Sequence, residues 1–414
     1  LALRIDFHPK QDVYDRIMLC VIIASAFTRL IWLDKPAGSL IFDETYYVNA
    51  ARIILGLPHD PGVYRNAASG LDPNYEHPPL GKLIIAFSMM ILGDNGYGWR
   101  MPSVVLGVLS IFVFYLLMKK VSTTQAVPLL GASLLSLDNL FFVHSRIATL
   151  DIYNIAFMLL GFYWYFSDRV VLSAIAMALS SLSKITALFG VATIAVYYIG
   201  IELEHRLSID LESLLAWLER YLVIYAGTFL ALLAVMDMFW ALYKNPFEHL
   251  SFIFSYHLGV VAATPTGIAS YPWQWLLNEV KIPYLSINAN IIIDGTISRM
   301  YPVVAFVGAM NPFIIYLTLP AIVYSIYSFY SSRSKATLFY FCWFTLTYLP
   351  FYPMSIIGHR IMYIFYFLNT IPAVCAMISE MIIDQELPIW LIFAYLGAVI
   401  AGFAMLFPFK AIPS

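Results

Sequence analysis

Charge is what this sequence has least of. Only 12% of its 414 residues are Asp, Glu, Lys or Arg, against about 25% in an ordinary soluble domain, while 61% are hydrophobic and the mean hydropathy is +0.79. So few charges cannot cover a water-exposed surface, which excludes a soluble globular protein. The formal net charge of −2 argues against a general nucleic-acid binder, which needs a basic face. Cysteine is scarce as well: Cys20, Cys342 and Cys375 lie inside apolar runs, where they neither frame disulfides nor carry metal-ligand spacing, and they are expected as packing residues. An internal repeat of the inverted kind found in transporters is absent. The first apolar run has no small-residue cleavage site behind it, so it is expected as a retained helix. Because the sequence opens at Leu1 and not at Met, a few preceding residues are expected.

What is present is a series of apolar runs. A spanning helix needs roughly 20 mostly apolar residues, and such runs recur from Ile17 to Phe407, with room for about eleven. The fold class expected is an all-α polytopic membrane protein, one domain over 1–414. A first helix at 17–33 leads into a polar loop, 34–79, far longer than a connector needs. Residues 80–92 are apolar but too short to cross, and are expected as a re-entrant or juxtamembrane helix. Spans are expected at 101–118, 127–142, 150–166, 170–182 and 185–200. The segment 201–220 sets Leu203, Leu207, Leu211, Leu214, Leu215 and Leu218 at helical spacing opposite Glu204, Arg206, Asp210 and Glu212, the pattern of an amphipathic helix on the cytosolic face. A span at 221–242, a second long loop at 244–301 carrying Trp273 and Trp275, and spans at 303–330, 336–353, 361–383 and 387–407 complete the series.

Lys119 and Lys120 set the parity. With 80–92 not crossing, they share a side with Arg4, Lys10 and Arg16, as the positive-inside preference asks, and Arg333 with Lys335 fall on that side too. Both long loops are then extracytosolic. On this parity Arg29, Lys82, Arg100, Lys184 and Arg360 lie on the wrong side for topology, and are expected to be kept for function.

The extracytosolic segments carry the polar residues. The first loop opens with Phe42-Asp43-Glu44-Thr45-Tyr46-Tyr47 and, with the segment behind it, forms a 34–100 unit ending in Tyr75-Glu76-His77-Pro78-Pro79-Leu80-Gly81-Lys82 and Gly98-Trp99-Arg100-Met101-Pro102-Ser103. Leu137-Asp138-Asn139 and Ser145-Arg146-Ile147-Ala148-Thr149-Leu150-Asp151 follow on the same side. A carboxylate at a membrane surface can act as a general base when it reaches a nucleophile's proton; an Asp-Glu pair alone reads first as a solvated surface. Context separates the readings, since each ionisable group at membrane depth costs roughly 2.5–3.5 kcal/mol on insertion scales, and here many meet one face.

In order and spacing, Thr28-Arg29-Leu30, Phe42-Asp43-Glu44, His77-Pro78-Pro79-Leu80-Gly81-Lys82, Arg100-Met101-Pro102-Ser103, Leu137-Asp138-Asn139, Ser145-Arg146 and Leu150-Asp151 resemble the protein O-mannosyltransferases of glycosyltransferase family 39. Leu179-Ser180-Ser181-Leu182-Ser183-Lys184-Ile185-Thr186-Ala187-Leu188, then Asn311-Pro312, Gly358-His359-Arg360 and Tyr366-Phe367-Leu368, extend the resemblance over nearly the whole chain. It reaches more loosely to the bacterial enzymes that place aminoarabinose on lipid A. The resemblance implies a GT-C fold with extracytosolic juxtamembrane helices, and a sugar donor carried on a polyprenyl or dolichyl phosphate that enters from the membrane lipids. It implies a protein or lipid acceptor, with a hexose, mannose first, passed to Ser or Thr by inverting in-line displacement. By family analogy and position, Asp43 is the base and Glu44 orients either Asp43 or the acceptor. Arg29, His77, Lys82, Arg100, Lys184 and Arg360 serve the phosphate, and Arg146 with Asp151 line the sugar pocket.

Plainer readings stand beside these. Arg29 and Lys82 also suit snorkelling to headgroups, Arg146 and Asp151 suit an ion pair, and Trp273 and Trp275 suit an aromatic belt. His249 and His257 read as ordinary loop histidines. Glu76 and His77 do not make a metal site by themselves, so no cofactor is implied, although a divalent metal occurs in some relatives. The second loop is too short for the lumenal MIR domain of eukaryotic family members, and the Trp-Trp-Asp signature of oligosaccharyltransferases is absent. The compact form points to a prokaryotic, archaeal-type plasma membrane. The rival from another class is a transporter or flippase, which would place its polar residues at the bilayer midplane.

Overall fold

The computed structural model describes residues 11–205, 211–243 and 245–408. It is built from helices α1 (Gln11–Leu30), α2 (Glu44–Ile54), α3 (Leu80–Leu92), α4 (Gly96–Val121), α5 (Ala126–Leu137), α6 (Asn139–His144), α7 (Leu150–Tyr165), α8 (Val170–Ser183) and α9 (Leu188–His205). There follow α10 (Leu211–Trp240), α11 (Pro246–Gly259), α12 (Pro272–Leu276), a hairpin of β1 (Ile282–Ile293) and β2 (Thr296–Gly308), then α13 (Pro312–Ile315), α14 (Thr318–Ser332), α15 (Lys335–Tyr348), α16 (Phe351–Ile356), α17 (Ile371–Asp384) and α18 (Ile389–Leu406).

Among the described residues five helices are long and apolar enough to cross a membrane: Gly96–Val121, Ile185–Leu203, Leu211–Trp240, Pro312–Ser332 and Ile389–Leu406. The other apolar runs form shorter pieces, and their breaks have local causes. The expected span at 127–142 is cut at Asp138, whose extended backbone ends α5 and whose carboxylate caps α6 by accepting from Phe141 N at 2.9 Å. At 336–353 the helix is interrupted before Phe351, where Pro350 and Pro353 remove donors. The run at 361–383 becomes helical only from Ile371, after a 3₁₀ stretch at Ile364–Asn369.

Three other expectations change. The run at 303–330 does not start as a helix: 303–308 belongs to β2, and Asn311 opens the helical part by capping Phe313 N. The second loop, expected as 244–301, is structured by α11, α12 and the hairpin, whose tip is Asp294 and Gly295 at positive φ. That is the Asp-Gly signature of a two-residue turn. The expected helix at 201–220 is divided: 201–205 continues α9, 211–220 opens the 30-residue α10, and 206–210 lie outside the described residues.

The helices are oriented so that one end of the bundle collects the motifs. α1 runs antiparallel to α4: Lys119, in the last turn of α4, reaches Asp15 near the start of α1 at 2.8 Å, while Arg100, in the first turns of α4, donates to Leu33 O just beyond α1 at 2.8 Å. Asp151 opens α7 and Lys184 closes α8 at that same end. Below it a fully buried aromatic core of Phe114, Phe162, Phe339 and Trp343 joins α4, α7 and α15. α3, with 13 residues, packs on α2 and α4.

Candidate active site

Asp43 and Glu44 are neighbours in sequence with different environments. Phe42, just before them, has φ 54°, a conformation rare for a bulky side chain. Glu44 is fully buried and saturated. It takes a two-pronged bond from Arg100, Nε and Nη2 each at 2.8 Å, and accepts Ile41 N at 2.7 Å and Ala148 N at 2.9 Å. Arg100 spends its other donors on the carbonyls of Leu33, Lys35 and Ser39. Both side chains therefore hold the entry to the first loop against α4 and the 145–148 turn.

Lys82 is buried in a comparable way. Its ammonium meets Asp72 at 2.6 Å and donates to His77 O at 2.8 Å and to the Asn74 carbonyl, bracing the 72–77 loop. The same loop is fixed from α10 and α11: Asp72 N bonds Trp240 O at 2.7 Å, while His249 bridges Asp237 (2.8 Å) and Tyr75 O (2.9 Å).

Asp43 differs. It is partly exposed, and among the described residues its carboxylate accepts no hydrogen bond. Burial lifts its titration to about 7; Lys184 opposes that shift and Asp151 adds to it. Asp151 accepts from Lys184 Nζ at 2.6 Å, and that ammonium lies 5.1 Å from the Phe365 ring and 5.6 Å from Tyr366. His144 stands beside the pair, 3.7 Å from Asp151.

A basic group faces this centre. The rings of His77 and His257 are 5.3 Å apart. Arg360 donates to the His257 carbonyl, to His257 Nδ1 at 3.1 Å and to Tyr366 OH at 3.5 Å. Arginine only donates, so His257 Nδ1 carries a lone pair. Burial, then Arg360, depresses His257 to about 4. His77 is held well below its ordinary value by burial and by Lys184, His257, Lys82 and Arg360; among the described residues its buried Nδ1 has no partner. Asp43, His77, His257, Arg360 and Tyr366 are all half-buried, so the group is largely enclosed and reaches the surface only in part.

The structure thus brings together Asp43, His77, Asp151, Lys184 and Arg360. Glu44, Lys82 and Arg100 adjoin this centre with their charges already paired. Arg29 and Arg146 sit apart, at the end of α1, sharing the ring of Phe142 at 4.9 and 5.5 Å. Arg29 donates to Ser145 Oγ at 2.6 Å and Arg146 to Ile31 O at 2.6 Å, so Arg146 does not pair with Asp151. The sequence assigns no role to His144, Tyr284 or Tyr366, and His257 is expected there as an ordinary loop histidine. Only Tyr366 lay inside a recognised motif. Among the described residues no group of three or more His, Cys, Asp and Glu is disposed to hold a metal ion.

A yeast protein O-mannosyltransferase, the S. cerevisiae Pmt1-Pmt2 complex bound to the sugar donor, superposes with a TM-score of 0.70 at 12% identity, over 98% of this chain and 91% of that one. ArnT from Cupriavidus metallidurans bound to undecaprenyl phosphate gives 0.54 at 16% identity, over 95% and 62%. The fold is GT-C. Residues 76–240 match the family model described as dolichyl-phosphate-mannose-protein mannosyltransferase, a stretch that holds His77, Lys82, Arg100, Arg146, Asp151 and Lys184. The polyprenol-phosphate-mannose–protein mannosyltransferase of Mycolicibacterium smegmatis is 34% identical over 167 residues, which are 40% of this chain and 31% of that protein. The matched part thus spans about a third of that relative's length. The Corynebacterium glutamicum protein of the same description is 24% identical over 89% of this chain and 82% of its own.

Proposed function

We propose that this GT-C chain transfers mannose, or another hexose, from a polyprenyl-phosphate donor to the hydroxyl of a protein Ser or Thr. The observation that carries the reading is Asp43: a partly exposed carboxyl that accepts no hydrogen bond among the described residues and is pushed up to about 7, beside the Asp151–Lys184 ion pair. A base works best with a titration point near the working pH.

In the reaction, the acceptor oxygen attacks the anomeric carbon and gives its proton to Asp43. The new carbon–oxygen bond forms as the bond to the phosphate oxygen breaks, and polyprenyl phosphate leaves with the electron pair. A preorganised donor aimed at developing negative charge is worth about 2.7–4 kcal/mol, the scale found for one oxyanion-hole donor. Arg360 suits this role, since among the described residues it has no carboxylate partner and rests on neutral acceptors of His257 and Tyr366. His77 and Lys184 complete the phosphate side, and Asp151 faces the sugar. Glu44, Arg100 and Lys82 are assigned to holding the loops, and Arg29 with Arg146 to holding the end of α1 beside them. We assign the site to the extracytosolic face of a prokaryotic plasma membrane, because Lys119 and Lys120 occupy the opposite end of α4.

Purified protein given a radiolabelled polyprenyl-phosphate mannose and a Ser/Thr-rich peptide should label the peptide. Asp43→Asn should reduce kcat by about 10²–10⁴-fold with donor binding retained. Undiminished turnover in that variant overturns the base assignment, and labelling of a lipid acceptor in place of the peptide overturns the acceptor.

A further inference from the structure

The hairpin of the second loop delivers one side chain to the site from a distance of some 240 residues in the sequence. Tyr284 lies on β1 where the register with β2 skips: Pro283 pairs with Val307 and Leu285 with Phe306, leaving Tyr284 as the extra residue of a bulge. Bulges re-aim a side chain out of the strand's alternation. Gly308 makes room for it, since a Cβ there meets the Tyr284 ring. The ring is buried and stacks on Phe42, centroids 4.0 Å apart and planes 13° from parallel, while Phe365 packs on Phe42 edge-on at 5.7 Å. Its hydroxyl meets His144 Nε2 at 2.8 Å.

Phe42 is the residue at φ 54°, and it directly precedes Asp43. At that φ the chain turns so that Glu44 goes to Arg100 while Asp43 is left on the Lys184 side. Nothing in the local sequence favours this conformation for a phenylalanine; the two aromatic contacts on its ring come from remote elements. We infer that Tyr284 is a positioning residue: by clamping Phe42 in its left-handed conformation, the β1–β2 hairpin sets where the Asp43 carboxylate stands. The catalytic part of this inference rests on the transferase reading above; the conformational part does not.

The experiment combines mannosyl transfer with cryo-EM of variants in lipid nanodiscs. Tyr284→Ala should lower kcat about 10²-fold, the loss expected for a displacement near 1 Å, with donor KM within about twofold. Tyr284→Phe keeps the stack and loses only the His144 bond, so it should recover at least about tenfold of that loss. Phe42→Gly removes the clamped ring, and Phe42→Gly with Tyr284→Ala should be no worse than the poorer single variant, because coupled residues are not additive. The map of Tyr284→Ala should show Phe42 at negative φ and the Asp43 carboxylate moved from the Lys184 side. Tyr284→Phe as impaired as Tyr284→Ala, additive losses in the pair, or an unmoved Asp43 overturns the inference. Wild-type protein that transfers no sugar overturns the transferase reading alone, and the map still decides the clamp.

Discussion

Replacing Glu44 with Gln tests whether the Asp-Glu pair divides its labour as its surroundings indicate. The Glu44 carboxylate is fully buried and accepts two bonds from Arg100 and two from backbone N–H groups. Removing one partner of a buried pair leaves the other charge uncompensated and costs about 3–5 kcal/mol, whereas an exposed pair is worth about 0–1. Gln preserves the shape and removes the charge, so Arg100 loses one of its two bonds to this side chain and one backbone donor loses its acceptor. Unfolding in mixed micelles should show Glu44→Gln destabilised by about 3 kcal/mol or more. A cycle with Arg100→Met should give a coupling energy above about 1.5 kcal/mol, within the range for residues in direct contact. Arg100→Lys should rescue little, because a point charge does not reproduce the planar fork. A destabilisation below about 1 kcal/mol, the exposed-pair range, refutes the Glu44–Arg100 pair as a structural hold. It also refutes the claim that Glu44 is structural.

The remaining predictions concern the centre itself. Because Asp43 titrates near 7 when folded and near 3.8 as an ordinary carboxyl, the folded state binds its proton more tightly. The stability this gives is full below 3.8 and is lost as pH rises through 7. Asp43→Asn should therefore melt above wild type at pH 8 and converge with it near pH 4. Lys184→Met removes the cation that opposes the upward shift of Asp43, so the acidic limb of kcat/KM should move to higher pH. Arg360→Ala should raise donor KM by about tenfold or more, the scale of a charge-assisted hydrogen bond lost, as read by titration with a labelled donor.

The sequence carried the membrane fold class and the clustering of its ionisable residues, but neither the breaks in the spans nor the partner of each charge. Asp43, His77, Lys184 and Arg360 stand out because ionisable residues among apolar runs are costly and few, and their assembly at one bundle end followed from the parity of Lys119 and Lys120. Sequence did not separate the cations by role. Arg100, Lys82 and Lys184 all sit beside helix ends in polar motifs, and only packing shows that Arg100 meets Glu44 and Lys82 meets Asp72. The hairpin was missed because a short apolar run such as 303–308 reads equally as a strand or as the start of a span. The clue was Asp294-Gly295 between β-branched runs. Tyr284 had no local signal, since a bulge exists only in the pairing of two strands, and His257 needed the 246–259 helix to be folded against the first loop. The extra breaks in the spans trace to single residues, Asp138 and Pro350 among them, whose effect on helix length composition does not reveal.

The most direct test of the account is a structure of the protein with a non-transferable polyprenyl-phosphate mannose analogue. The phosphate should lie within hydrogen-bond reach of Arg360 and beside His77 and Lys184, with the anomeric carbon on the Asp43 side. A phosphate bound at the other end of the bundle, near Asp15 and Lys119, or one that leaves Arg360 on His257 and Asp43 remote from the sugar, contradicts it.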